Sequence, residues 1–288
     1  MSEKRDSEAF PLERIDRDHP NVARVYDYYL GGTANYAVDR VFAEKALAQF
    51  PFVRPASKSN RLFLHRAVRH LIKRGIRQFV DVGSGVPTMG STHQVAEELT
   101  PDARVVYIDN EAVAVAHSQV LLEQDGDLHR HAVVQADLRD PALLWRKVAD
   151  TGVIDLNQPL ALMMIAVLHV TQPGPDGSDI GPQVVAEYRE MLPSGSYLVL
   201  SHGTADGVPA ERAREMAEFR KMYDNTPTPV IWRPRAEIEA LFGELELIEP
   251  GATWTPLWHP EEQGPSAPLI YFADPNESVV WAGVAYKP

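Results

Sequence analysis

A short apolar segment followed by a glycine turn is the part of this sequence best suited to hold a ligand. Residues 78–82 are mostly apolar, and Gly83, Ser84 and Gly85 follow directly. A buried strand that runs into a glycine turn brings main chain close to a ligand, because glycine tolerates positive φ and has no Cβ. We therefore expect Gly83, Ser84 and Gly85 to contact a nucleoside and its charged tail. Taken alone, the same glycines would also suit a tight strand-to-helix turn without a ligand.

Acidic residues end the next two apolar segments along the chain. Asp109 ends the second segment, and Asp137 follows the third. Adjacent strand ends of a doubly wound sheet point into one crevice, so Asp109 can accept hydrogen bonds from both ribose hydroxyls. Asp137 could bind an adenine amino group, although it could equally cap a local turn. Asn110 and Leu138, which follow the two acids, are predicted to line the same site.

The residues after the glycine turn bear on which nucleoside cofactor would bind. A dinucleotide site shares the glycines and Asp109, but its fingerprint has a third glycine where this chain has Thr88, after Pro87. A bulky threonine disfavours the close helix-to-strand packing that a pyrophosphate clamp uses. This favours S-adenosylmethionine, which has no pyrophosphate. An NAD(P)-dependent oxidoreductase is the weaker alternative, because the chain also lacks a Tyr-x-x-x-Lys pair after the fourth strand.

Histidines and tryptophans after the later strands are candidates for the acceptor side of a methyl-transfer site. Such a transfer is an in-line displacement whose leaving group needs no proton, so the protein supplies alignment and, for oxygen or nitrogen acceptors, a base. His169 follows the fourth predicted strand and His202 follows the fifth, so both are candidate catalytic bases. Either could instead cap a strand end. Trp232, Trp254 and Trp258 could line an acceptor site or pack in the core.

The segment 24–40 combines tyrosines and an asparagine around two glycines, a composition suited to a lid over a ligand. We expect Tyr28 and Asn35 to contact the ligand, although the tyrosines could also pack this helix onto the sheet. Arg24 or Arg61 could hold the cofactor carboxylate as a bidentate pair. Either arginine could equally form a surface salt bridge.

The pattern of helices and strands predicts how these residues are positioned. Residues 20–75 have helical periodicity, and short apolar strands then alternate with helices, which is typical of an α/β fold with a mostly parallel sheet covered on both faces. The predicted strands are Arg77–Asp81, Arg104–Asp109, Ala132–Ala136, Leu160–Val167, Ser196–Ser201, Glu244–Glu249 and Val279–Tyr286. We expect an N-terminal helical lid over residues 1–75 and one main cofactor-binding core over residues 76–288.

Composition narrows the classes of partner and cofactor. The formal charge of −12 disfavours nucleic acid as a partner, because it would repel a phosphate backbone. The chain has no cysteine, which excludes disulfides and thiolate metal sites, and its histidines do not pair with carboxylates at metal-ligand spacing, so no metal is expected. Without an apolar leader or a long apolar run, the sequence predicts a cytoplasmic protein with no membrane partner. It leaves open whether the chain forms a homodimer.

Several motifs together resemble those of one known family. They are Ala23 to Gly32, Asn35 to Arg40, Asn60 to Leu64, Asp81 to Thr88, Val105 to Asn110, Ala136 to Pro141 and Leu192 to His202. Their order is similar to that in the S-adenosyl methyltransferases of unassigned substrate. The resemblance runs from about residue 20 to the C-terminus and includes the Pro87–Thr88 departure. It implies a Rossmann-like class I methyltransferase fold with seven strands, the last of them antiparallel, and S-adenosylmethionine as cofactor.

The function predicted from the sequence is S-adenosylmethionine-dependent methyl transfer to a small-molecule acceptor. Neither the residues nor the resemblance identifies that acceptor. A regulatory protein that binds the cofactor without catalysis is the alternative, because no residue stands out as an unambiguous acid, base or metal ligand.

Overall fold

Three helices precede the sheet in the computed structural model, which describes residues 16–86 and 90–288. They are α1 (Val22–Leu30), α2 (Ala37–Gln49) and α3 (Val53–Lys73). Asn21 begins α1 as its N-cap, since its side-chain oxygen accepts a hydrogen bond from the backbone N–H of Ala23 at 2.8 Å. Gly31 ends that helix at a φ of +92°, a conformation that glycine adopts without strain. The Pro87–Thr88 pair lies outside the described residues.

The rest of the chain alternates between strands and helices, as the sequence pattern predicts. The strands are β1 (Gln78–Val82), β2 (Arg104–Asp109), β3 (His131–Gln135), β4 (Ala161–Ile165), β5 (Tyr197–Gly203), β6 (Glu246–Leu247), β7 (Thr253–Trp254) and β8 (Val280–Tyr286). The helices are α4 (Thr92–Glu97), α5 (Ala112–Asp125), α6 (Pro141–Asp150), α7 (Gly181–Met191), α8 (Ala210–Tyr223) and α9 (Arg235–Ala240).

The strands form one sheet in the order β3-β2-β1-β4-β5-β8-β6, with β7 also paired to β8. Strands β1 to β5 are parallel, and β8 is antiparallel to β5. This is the class I methyltransferase arrangement, and the prediction of a mostly parallel sheet with an antiparallel last strand is confirmed. The carboxyl ends of β1, β2 and β4 consequently meet at one edge of the sheet.

The sheet has eight strands rather than the predicted seven, because β7 lies beyond the end of the predicted sixth strand, Glu244–Glu249, which is itself shortened to β6. Glu246 in β6 lies opposite Tyr286, and Thr253 in β7 lies opposite Ala282, so both short strands pair along the same side of β8. The intervening segment contains Pro250, which has no backbone N–H to donate and interrupts the ladder.

Both faces of the sheet are buried. One face packs Val80, Val106 and Leu162 against helices α6, α7 and α9, and the opposite face packs Phe79 and Val105 against α3 and α4. Helix α3 therefore forms part of the main core, whereas α1 and α2 pack with α8 in a third apolar cluster. Among the described helices, none is both long enough and apolar enough to cross a lipid bilayer.

Candidate active site

A cavity of about 230 Å³ opens at the carboxyl ends of β1, β2 and β4. It is lined by many of the residues predicted from the sequence, namely Arg61, Gly83, Ser84, Gly85, Asp109, Asn110, Leu138 and His169. Tyr26, Asn60 and Asp81 also line it, although the sequence did not single them out as ligand contacts. We call this space the cofactor cavity.

The glycine turn after β1 is tied to the end of β2. The backbone N–H groups of Gly83 and Ser84 donate to the carbonyl of Ile108 at 2.8 and 3.0 Å. The N–H of Gly85 donates to the Asp109 carboxylate at 2.8 Å. A Cβ on Gly83 would lie 2.3 Å from the side chain of Val167, whereas a Cβ on Gly85 would meet no atom within 4 Å. The space beside Gly85 can therefore take a closely approaching ligand.

This difference predicts opposite effects for two otherwise matched substitutions. Both glycines have positive φ, +69° at Gly83 and +62° at Gly85, so alanine at either position costs about 1–2 kcal/mol of strain. Gly83→Ala adds overpacking against Val167 of about 1–3 kcal/mol, which should appear as a lower unfolding free energy in urea. Gly85→Ala should lose only that strain energy, so its unfolding free energy should exceed that of Gly83→Ala, yet it should bind S-adenosylhomocysteine at least tenfold more weakly than the parent in titration calorimetry. Equal binding by Gly85→Ala would contradict the assignment of this space to the ligand.

Asp109 is buried at the floor of the cofactor cavity. Its two carboxylate oxygens accept the N–H groups of Glu111 at 2.9 Å and Gly85 at 2.8 Å. Burial raises the pKa of this carboxyl group to about 6, although both backbone hydrogen bonds lower it. Each carboxylate oxygen has two acceptor sites, so Asp109 can still accept two further hydrogen bonds, as from a ribose.

A buried cation, Arg61, and a buried acid, Asp81, also line the cofactor cavity. Within the part of the chain that the structure describes, the guanidinium of Arg61 makes no hydrogen bond and no ion pair, although it is only 6% exposed. Asp81 accepts a hydrogen bond from the Thr92 hydroxyl at 2.7 Å. Burial raises the pKa of Asp81, and Arg61 opposes that shift. The charges of Arg61 and Asp81 are complementary to the carboxylate and the ammonium of an amino-acid tail. For Asp81, the signal in the sequence was a single acid inside an apolar strand.

Arg24, the other candidate for the cofactor carboxylate, is occupied elsewhere. It is 1% exposed and forms ion pairs with Asp39 at 2.7 Å and Glu111 at 3.0 Å. It also donates to the carbonyl of His19 at 3.0 Å. Arg24 therefore fixes α1 to α2 and to the residue that caps α5.

Asp137 does not line the cofactor cavity. Its carboxylate pairs with Arg139, and this ion pair lowers its pKa. Arg139 lines the cavity instead, together with the predicted Leu138. The lining of the cavity beyond β3 is thus formed by Leu138 and Arg139 rather than by the acid itself.

Tyr28 and Asn35 also lie away from the cavity lining. The hydroxyl of Tyr28 donates to Glu44 at 3.1 Å, which links α1 to α2. The side-chain amide of Asn35 donates to Asp27 at 2.7 Å and to the carbonyl of Gly32 at 3.0 Å. Both side chains hold the N-terminal helices together, so the lid hypothesis loses its two predicted ligand contacts.

The two candidate histidines have different surroundings. His169 lines the cofactor cavity, and its Nδ1 has no partner among the described residues. Burial, assisted by Arg233, lowers the pKa of His169 to about 4, so its imidazole is neutral at physiological pH. His202 is fully buried and not part of the described lining. Its Nδ1 donates to the carbonyl of Gly203 at 2.7 Å and its Nε2 accepts from Arg233. Through its bond to Arg233, which also donates to the carbonyl of Leu168, His202 helps to hold the loop after β4 in place.

A second cavity, of about 80 Å³, adjoins the first and is lined almost entirely by apolar side chains from α1, α3, α8 and β8. We call it the apolar cavity. Trp232 lines it. Trp258 is fully buried against Phe63, with ring centroids 5.3 Å apart, and Trp254 packs edge-on against Trp281 at 4.9 Å. Trp258 and Trp254 are therefore part of the hydrophobic core.

The strand order, and a glycine turn that shares its cavity with Asp81 and Asp109, define a nucleoside-cofactor protein of the class I methyltransferase type. The sequence model of the S-adenosyl methyltransferase family matches residues 8–288, and the chain belongs to this family. S-adenosylmethionine is accordingly its cofactor. That molecule fits the open space at Gly85, the spare acceptor sites of Asp109 and the guanidinium of Arg61, which has no hydrogen-bond partner among the described residues.

Two solved structures resemble the chain over nearly its whole length. A proposed methyltransferase from Thermobifida fusca YX is 36% identical, with a TM-score of 0.80, and the match covers 97% of this chain and 99% of that one. A DUF574 family protein from Streptomyces avermitilis MA-4680 is 35% identical, with a TM-score of 0.83, and the match covers 96% of this chain and 100% of that one. No curated protein matches the chain.

Proposed function

We propose that this chain catalyses methyl transfer from S-adenosylmethionine to a small-molecule acceptor. The observation that carries the proposal is the position of His169, which lines both the cofactor cavity and the apolar cavity. A polar side chain between a cofactor site and a second, separate space is what a two-substrate enzyme requires. A protein that only bound the cofactor would have no need of the second space.

The cofactor would be held from its ribose and its amino-acid tail. Asp109 would accept hydrogen bonds from the ribose hydroxyls, and Asn110 and Leu138 would border the adenine. Arg61 would pair with the tail carboxylate, and Asp81 would accept from the tail ammonium. Charge-assisted hydrogen bonds of this kind contribute about 1.5–3 kcal/mol each.

When bound, S-adenosylmethionine supplies a methyl group on a positively charged sulfur that leaves as a neutral thioether. The protein's own part is to orient the acceptor and to take its proton. The neutral imidazole of His169 can accept that proton. His202 and Arg233 would keep the loop of His169 in place, because Arg233 donates to the carbonyl of Leu168 at 2.7 Å.

Turnover is the direct test of the proposal. The purified chain is incubated with S-adenosylmethionine and a metabolite extract, and S-adenosylhomocysteine is quantified by mass spectrometry. We expect its formation to depend on both the protein and the extract. Tight cofactor binding without any S-adenosylhomocysteine would instead support the non-catalytic regulatory protein.

Arg61 can be tested with a ligand pair that differs in the amino-acid tail. Arg61→Met should weaken S-adenosylhomocysteine binding by about 10- to 100-fold, because the carboxylate loses a charge-assisted partner. Binding of 5′-methylthioadenosine, which has no carboxylate, should change less than twofold. Arg61→Lys should recover part of the loss, since it keeps the charge without the planar fork. Equal losses for both ligands would rule out the carboxylate contact.

A further inference from the structure

We infer that the methyl acceptor is an uncharged compound with a single aromatic ring and a hydroxyl group, bound with its ring in the apolar cavity. The inference rests on the proposed methyl transfer and narrows it to a substrate class. It follows from the position of the apolar cavity, the charge of its lining, its aromatic side chains and its unpaired polar atoms.

The apolar cavity is positioned to present an acceptor to the cofactor. Val22, Tyr26, Asn60, Ala166 and His169 line both cavities, so they form the junction between them. A molecule in the apolar cavity would reach the cofactor only at these five residues. The reacting atom of the acceptor therefore lies at the junction, and the remainder of the molecule lies among apolar side chains.

The lining excludes charged acceptors. Among the described residues that line the apolar cavity there is no aspartate, glutamate, lysine or arginine. A carboxylate, phosphate or ammonium placed there would lose its hydration without gaining a counterion, which is strongly unfavourable. The acceptor is therefore uncharged in the part that enters this cavity.

Aromatic rings form a large part of the lining of the apolar cavity. Phe219 lies at its centre, with ring centroids 6.2 Å from Phe52, 5.3 Å from Tyr223 and 6.3 Å from Trp232. Edge-to-face and offset contacts with such rings favour an aromatic guest. The volume of about 80 Å³ is smaller than the ~150 Å³ of an apolar cavity that takes benzene. A single ring thus needs a small outward shift of the wall, and fused ring systems are too large.

The unpaired polar atoms around the apolar cavity lie on residues of the junction, so we place the polar group of the acceptor there. The hydroxyls of Tyr29 and Tyr223 pair with each other at 3.2 Å. The hydroxyl of Tyr26 donates to the carbonyl of Ser57 and accepts from Asn60. The carbonyl oxygen of Asn60 and Nδ1 of His169, in contrast, have no partner among the described residues.

Those two unpaired atoms favour a hydrogen-bond donor on the acceptor. The Asn60 oxygen can only accept, and a neutral imidazole accepts at one of its nitrogens. A hydroxyl group can donate to either and also carries the nucleophilic lone pair. In the transfer, the hydroxyl oxygen forms a bond to the methyl carbon while the carbon–sulfur bond breaks, leaving its electron pair on sulfur. The hydroxyl proton passes to His169, and Arg233 disfavours the imidazolium, so the proton then leaves to water.

The test compares matched compounds with the complete, wild-type protein and S-adenosylmethionine. We expect 4-ethylphenol to be methylated on oxygen at least tenfold faster than 4-ethylbenzoate, which carries a charge, and than 2-naphthol, which has two fused rings. Mass spectrometry of the methyl ether and of S-adenosylhomocysteine gives both products. Faster methylation of the charged or the fused-ring compound would overturn the inference.

A cavity-filling variant tests the location of the ring. Ala56→Phe adds a ring within the apolar cavity, where Ala56 is 5% exposed. It should lower kcat/KM for 4-ethylphenol at least tenfold and leave the Kd of S-adenosylhomocysteine within twofold, which also shows that the variant folds. An unchanged kcat/KM would contradict the location. A measurement without any variant is calorimetric binding of 4-ethylphenol to the S-adenosylhomocysteine complex, where absence of binding would also contradict it.

The outcomes separate this inference from the proposed function. Turnover with the metabolite extract but none with 4-ethylphenol overturns the acceptor class and leaves methyl transfer intact. Cofactor binding without turnover in either mixture overturns both.

Discussion

Replacing His169 with alanine is expected to lower kcat by about 10²- to 10⁴-fold, the usual contribution of a positioned base. The affinity for S-adenosylhomocysteine should stay within twofold, because the ribose and tail contacts lie on β1, β2 and α3. His117→Ala provides a matched control, since His117 is exposed on α5. Steady-state kinetics with the best acceptor found in turnover measures the effect. A kcat within threefold of the parent would exclude His169 as the base.

The pH profile offers a second test of His169 that requires no substitution. Its pKa of about 4 predicts that kcat at saturating substrates is constant between pH 6 and 8 and falls only below about pH 5. An exposed histidine would give an inflection near its ordinary value of 6.5. An inflection near that value that disappears in His169→Ala would contradict the burial of this imidazole.

Asp109→Ala should weaken S-adenosylhomocysteine binding by about 100-fold, because it removes the acceptor for both ribose hydroxyls and unties the glycine turn at Gly85. Asp109→Asn keeps one oxygen and should lose about tenfold. Titration calorimetry at pH 7.5 measures both variants. An adenosine analogue without the 2′ and 3′ hydroxyls should bind the parent and Asp109→Asn with similar affinity. A large difference for that analogue would show that Asp109 acts only through the fold.

The raised pKa of Asp109 gives this site a pH dependence. Cofactor binding selects the ionised carboxylate, which accepts more hydrogen bonds than the protonated form. As the pH falls below the free-protein pKa of about 6, affinity should fall by up to tenfold per pH unit, and Asp109→Asn should lose this dependence.

The raised pKa of Asp109 also affects the stability of the protein without cofactor. A carboxyl pKa raised from 3.8 to about 6 removes roughly 3 kcal/mol of stability as pH rises through that range.

Much of the fold was predictable because its signals are local. The parallel strands are short apolar segments separated by amphipathic helices, and each needs only its own residues to be recognised. The glycine turn and Asp109 were predictable for the same reason. The short length of β6 and the presence of β7 were not, because both depend on how residues 246–254 align with β8, which lies further along the chain.

The parts of the site that depend on contacts between distant segments escaped sequence reasoning. Asn60 and Asp81 belong to different elements, and only the packing of α3 against β1 brings both to the cofactor cavity. Asp137 follows its strand as predicted, but Arg139 neutralises it two residues later. His169 and His202 were both predicted to follow neighbouring strands, but His202 lies within β5, whereas His169 lies beyond the end of β4. Arg233, which binds His202, comes from beyond α8.

The ion pair between Arg24 and Glu111 connects helix α1 to the loop after β2. The described linings of the two cavities share no strand. Glu111 lies two residues after Asp109 and donates to it through its backbone, while α1 contributes Val22 and Tyr26 to both cavities. Arg24 therefore holds the loop after β2 against the helix that lines both cavities, so one arginine couples the walls of the two spaces.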